Sequence, residues 1–174
     1  MPKRILVADT SALLSLSIGA ILERALQIVN IYVPHEVVSE LESHSRLSQH
    51  AADVLRLVRS GRINSLTVEN TVRAELLAAE NPQIDSGEAE AIVLAEERDI
   101  DLIITDDFVA FPQMRKVTQA RVHLSPYVIA ALVVTGKLEL EEAETCFDKI
   151  ARHRGWLDAA LYKHARAYLV ALKS

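Results

Sequence analysis

Apolar residues follow two rhythms along the chain. Short continuous runs at 5–8, 31–33, 63–68, 102–105 and 121–124 read as strands. Between them the apolar spacing lengthens to three and four residues, the spacing of a helix. Residues 12–29 repeat Leu and Ile this way, and Pro34 sits where a helix starts, ahead of "HEVVSELE". "QHAADVLRLVRSG" carries a stripe at Ala52, Leu55 and Val58 and stops on Gly61. "SGEAEAIVLAEERD" predicts a helix with Ser86 as its N-cap and glutamates in its first turn. Strands that alternate with helices need crossover connections, so the expected fold is α/β: a parallel sheet with helices on both faces. Past Ser125 the pattern is wholly helical, through "PYVIAALVVTGK", "LEEAETCFDKIARHRG" and "LDAALYKHARAYLVAL". No repeat or linker interrupts it. The expectation is a single domain over 1–174, with an α/β core at 1–125 and C-terminal helices at 126–174.

Composition narrows the setting. Half of the 174 residues are hydrophobic, enough for a substantial core. Cys146 is the lone cysteine, which excludes an internal disulfide and argues against a thiolate zinc site. Asp9 interrupts the first apolar run too early for a signal peptide, and the run at 128–134 is too short to span a bilayer. A cytoplasmic, membrane-free protein is expected. The net charge of −5 argues against bulk electrostatic binding of nucleic acid, but the charge is uneven. Residues 149–174 hold Lys149, Arg152, Arg154, Lys163, Arg166 and Lys173 against Asp158 alone. Residues 44–62 hold Arg46, Arg56, Arg59 and Arg62 against Asp53.

The chemistry lies in the acids. In a parallel sheet, ligands gather at the carboxyl ends of the strands. Asp9 ends the first strand, followed by the hydroxyls of Thr10 and Ser11, and Asp106-Asp107 end "DLIIT". Glu40 lies on the helix after Pro34 among Val37, Val38 and Leu41. Glu88 lies in the first turn of "SGEAEAIVLA", where Ala89 and Ala91 permit close approach. Taken singly, each has a plainer role as cap, turn or surface residue. Taken together they are four acidic positions in separate segments, and crowded carboxylates repel unless a cation joins them. Oxygen donors without Cys or nearby His favour Mg²⁺ or Mn²⁺ over zinc.

"VADTSAL", "PHEVVSELE", "SGEAEAIVLA" and "LIITDD", in that order and spacing, resemble the four acidic motifs of PIN-domain ribonucleases. The helical tail "SPYVIAALVVTGKL" resembles a prokaryotic, toxin-like subgroup. The likeness covers nearly the whole chain; its specificity lies in the ordered set and in no one motif. It implies a three-layer α/β/α sandwich and cleavage of RNA phosphodiesters. Asp9, Glu40, Glu88 and the aspartate after Thr105 would form the acidic site, steadied by Thr10 or Ser11 and by Thr105. Two points depart from the pattern. Glu88 stands where the family often has Asp, with Asp85 and Glu90 close by. The fourth acid is Asp106 by spacing from Glu88, or Asp107 by a Thr-x-Asp pattern.

RNA is then the expected substrate, a Mg²⁺- or Mn²⁺-bound water the nucleophile, and the two basic clusters the rim that draws RNA in. Arg46, Arg56, Arg152, Arg154 and Lys163 are the rim candidates. His35 reads as a helix-start residue, not a general base. Aromatic residues make up only 5% of the chain, which argues against a broad stacking platform. An antitoxin protein and a homodimer are expected as partners. The rival is a catalytically silent PIN-like module that docks a partner; the four filled acidic positions weigh against it. A phosphatase with an aspartyl nucleophile wants a second Asp two residues after the first, and Ser11 stands there.

Overall fold

The computed structural model describes residues 2–171. Lys173, counted above in the basic C-terminal cluster, lies outside them. Five parallel strands form one sheet in the order β3-β2-β1-β4-β5: β1 (Arg4–Ala8), β2 (Val29–Pro34), β3 (Asn64–Leu66), β4 (Leu102–Ile104) and β5 (Arg121–His123). All five strands were anticipated, with the outer ones shorter than the apolar runs suggest.

The strands look uniformly apolar because both faces are covered. Leu6, Ala8, Ile31, Val33, Leu102 and Ile104 pack on one face, against α1 (Thr10–Ile18), α2 (Leu22–Ile28), α3 (His35–His44), α4 (Gln49–Arg59), α8 (Pro126–Val134) and α9 (Leu140–Arg154). Val7, Ile103 and Val122 face the other way, onto α5 (Thr71–Glu80), α6 (Ser86–Glu97) and α7 (Ala110–Val117). The result is the three-layer α/β/α sandwich. A last helix, α10 (Ala160–Ala171), packs on α9.

Three details differ from the sequence reading. Residues 12–29 form two helices, bent by 112° where Gly19 caps α1 and Ala20 takes φ 57°. In α4 the fully buried positions are Ala51, Val54, Leu55 and Leu57, so the stripe is shifted from Ala52 and Val58. Helix α6 is capped by Asp85, whose side chain accepts from the Glu88 N–H while Glu88 accepts from the Asp85 N–H; Ser86 is its first helical residue.

Chain order places the site. From β1 the chain winds outward through β2 and β3, then returns to β4 on the opposite side of β1. The crevice between the carboxyl ends of β1 and β4 is the switch point, where ligands of open α/β sheets bind.

Candidate active site

Asp9 leaves β1 at this crevice and caps α1, accepting from the Ala12 N–H at 2.9 Å. Two hydroxyls add to that hold. Ser11 Oγ donates to the Asp9 carboxylate at 2.8 Å, and Thr105 Oγ1 donates to Oδ2 at 2.6 Å from the end of β4. Both hydroxyls also accept: Ser11 Oγ from the Asp106 N–H at 2.8 Å, and Thr105 Oγ1 from the Asp107 N–H at 3.1 Å. Ser11 and Thr105 therefore stitch the two strand ends together around one carboxylate.

The other acids come from three further elements. Glu40 on α3 accepts from Thr10 Oγ1. Glu88 is held in the first turn of α6 by the capping box. Asp107 starts the turn into α7, and its Oδ1 accepts from the Val109 and Ala110 N–H groups at 2.8 Å each. Asp9, Glu40, Glu88 and Asp107 line one cavity of ≈ 190 Å³, together with Thr10, Ser11, Leu14, Asp85, Gly87 and Arg154.

Asp106 is held differently, although its charge still reaches Asp9 and raises that carboxyl. Only 2% exposed, it turns towards α8, where its Oδ1 accepts from the Ser125 N–H at 2.7 Å, and it does not line the cavity. Spacing along the sequence favours Asp106; the geometry brings Asp107 to the other acids. Where β4 gives way to the turn, consecutive side chains point in different directions, and the sequence does not mark where that change falls.

Burial dominates the electrostatics of these carboxyls. Burial pushes the Asp9 carboxyl up to about 7, against the lowering effect of the bonds from Thr105, Ala12 and Ser11. Burial pushes Glu88 up to about 8, reinforced by the charges of Asp85, Asp9 and Asp107. Glu40 is also raised, by burial and then by Asp85 and Glu36. Among the described residues one cation lines the cavity with them. Half-buried Arg154, at the end of α9, has its guanidinium 5.6 Å from the Trp156 ring, and Trp156 packs on Phe108 at 4.7 Å. Among the described residues Arg154 makes no ion pair.

The remaining rim candidates lie off this cavity. Arg56 pairs with Asp53 at 3.2 Å and lines a separate hollow beside α2 and α4. Arg46, Arg152 and Lys163 are exposed and do not line the acidic cavity. His35 is the first residue of α3. Gly87 was not singled out by the sequence, although its neighbour Glu88 was. A Cβ at residue 87 would stand 2.7 Å from Glu40 Oε1, so glycine there is what lets α3 and α6 bring their carboxylates together.

Among the described residues no three of these side chains stand at the spacing of a formed metal cage. Their donor chemistry nonetheless fits a hard divalent cation: carboxylate oxygens that burial, and secondarily one another's charge, pushes up to about 7 at Asp9 and about 8 at Glu88. A family model described as a PIN domain matches residues 5–169. The chain belongs to the PIN-domain family. No curated protein and no solved structure matches it. PIN domains are typically nucleases and generally use divalent metal ions, and that class of activity is what membership assigns to this chain.

Proposed function

We propose that this PIN domain is a Mg²⁺- or Mn²⁺-dependent ribonuclease that cleaves RNA phosphodiester bonds. One observation carries the reading: Asp9, Glu40, Glu88 and Asp107, from four separate segments, line one cavity at the switch point of the sheet together with Asp85 and Arg154. In this reading Asp9, Glu88 and Asp107 hold the ion, and Glu40, fixed by Thr10, completes the acidic wall. The chemistry such an ion supplies is an acidified water and a counter-charge for the leaving oxygen. Arg154 takes a phosphate oxygen, because an anionic backbone entering an acidic cavity needs a cation to orient it. Ser11 and Thr105 keep Asp9 aimed by donating to it, leaving its remaining acceptor capacity to the cavity.

The test uses end-labelled RNA and wild-type protein with Mg²⁺, with Mn²⁺, and with a chelator, beside Asp9→Asn. Cleavage is expected with either ion, none with chelator, and a loss of roughly a hundredfold or more in the variant. Undiminished cleavage in the presence of chelator would overturn the reading.

A further inference from the structure

A groove of ≈ 520 Å³ opens beside β5, the outer strand of the sheet, between α7, α8 and α10. Its size suits one nucleotide-sized ligand. The chain has three Phe and four Tyr, and Phe111, Tyr127 and Tyr168 share this one groove. His123 and His164 line it as well, and His123 stacks on Tyr127 at 4.2 Å. Scarcity in the sequence argues against a broad stacking platform; the fold nonetheless brings three of the aromatic rings into one groove.

The groove is also an exception to the acidic character of the protein. No carboxylate lines it, in a chain of net charge −5. Arg115 lies 5.7 Å from the Phe111 ring and forms no ion pair among the described residues. Arg121 nearby is different, being paired to Asp101 at 2.7 Å. Tyr168 is 55% exposed, a large ring left open to solvent at the groove wall.

Position ties the groove to the acidic cavity. The His123 carbonyl accepts from the Thr105 N–H at 3.0 Å, and the Thr105 hydroxyl bonds Asp9. Strand β5 is two strand spacings from β1, roughly 10 Å, and the groove-lining His123, Leu124 and Pro126 lie at and just past its carboxyl end, the same edge of the parallel sheet at which Asp9 leaves β1. Strand addition by a second copy is poorly served here, since β5 has three residues and a charged Arg121 at its start. The open ring of Tyr168, an arginine without an ion pair among the described residues and a lining without acids suit a base with its phosphate.

We propose that the groove seats a nucleobase of single-stranded RNA flanking the cleaved bond, stacked on Tyr168, with the adjoining phosphate on Arg115. The substrate class rests on the nuclease reading above; the test does not. Affinity is measured by fluorescence anisotropy with a labelled single-stranded oligoribonucleotide in chelator, where nothing is cut, for wild type, Tyr168→Ala and Arg115→Gln. A second labelled strand of the same length carries abasic sites throughout. Both side chains are exposed, and thermal melts verify that the variants fold. Tyr168→Ala is expected to weaken binding about fivefold to a hundredfold on the base-bearing strand and hardly at all on the abasic one. Arg115→Gln is expected to weaken both and to lower the salt slope by about one.

Wild-type affinity in both variants overturns the proposal, as does an equal Tyr168→Ala loss on the two strands. A change from dimer to monomer in sedimentation with RNA affinity unchanged overturns it too, making the groove an interface between copies. The two readings fail separately. Groove-dependent binding by a protein that cuts no RNA sinks the nuclease and keeps the groove. Cutting by a protein whose RNA affinity ignores Tyr168 sinks the groove alone.

Discussion

Glu40 and Glu88 come together across a gap that only glycine leaves. With Glu40 Oε1 2.7 Å from where a Cβ would stand, Gly87→Ala must displace the carboxylate. Alanine is favoured over glycine inside a helix by up to about 1 kcal/mol, so the substitution need not weaken α6 itself. The expected outcome is a melting temperature close to wild type with Mn²⁺ affinity reduced roughly tenfold, read by titration calorimetry. A folded variant with unchanged Mn²⁺ affinity would remove Glu40 from the site. At this scale Asp9 and Glu88 were legible because each opens a helix next to apolar sequence. Asp106 and Asp107 were not separable, since adjacent residues with the same chemistry differ only in where the strand ends.

Helices supply Arg154 as well as Glu40 and Glu88. The sequence presents the basic C-terminal segment as a rim, but its residues divide: Arg166 pairs with Asp148, Arg152 and Lys163 face solvent, and among the described residues of the segment Arg154 alone lines the acidic cavity. Arg154→Gln is therefore expected to raise KM for RNA and flatten its salt dependence by about one contact, with Arg152→Gln and Lys163→Gln near wild type. Equal losses in all three variants would restore a diffuse basic rim. What placed Arg154 was not visible in the sequence. It depends on Trp156 folding back onto Phe108, a contact across some fifty residues in a chain whose aromatics looked too sparse to matter. The bend between α1 and α2 escaped for a similar reason. An unbroken apolar rhythm runs through it, and the break is a backbone event at Gly19-Ala20. Helices α5 and α7 were likewise not anticipated, the first being mostly exposed and the second only eight residues long.

For the molecule as a whole, the site is an electrostatic cost carried by the fold. The Asp9 and Glu88 carboxyls bind protons more tightly folded than unfolded, moving from 3.8 to about 7 and from 4.5 to about 8. Their contribution to stability is thus fully present below the unfolded values and is lost as pH rises through about 7 and 8. Without metal, the melting temperature is expected to fall by several degrees between pH 5.5 and 9, and saturating Mn²⁺ is expected to recover most of the loss at the alkaline end. Asp9→Asn should flatten that slope; a metal-free slope that rises with pH would contradict the crowding. The sheet and its layers were legible throughout, because continuous apolar runs and helical spacing reflect burial directly. The grouping of side chains at the switch point was legible only as an ordered set of acids.

Cleavage by variants of the two neighbouring aspartates locates the active site. Asp106→Asn replaces a buried carboxyl whose burial already favours the neutral form, and the amide oxygen can still accept from Ser125. Asp107→Asn removes a charge facing the cavity. Initial rates on end-labelled RNA in Mn²⁺ are compared for wild type and the two variants, each verified as folded by its melt. Asp107→Asn is expected to lose roughly a hundredfold or more and Asp106→Asn to stay within a few-fold of wild type. The reverse order, or cleavage that survives Asp107→Asn, would contradict the placement of the active site in this cavity.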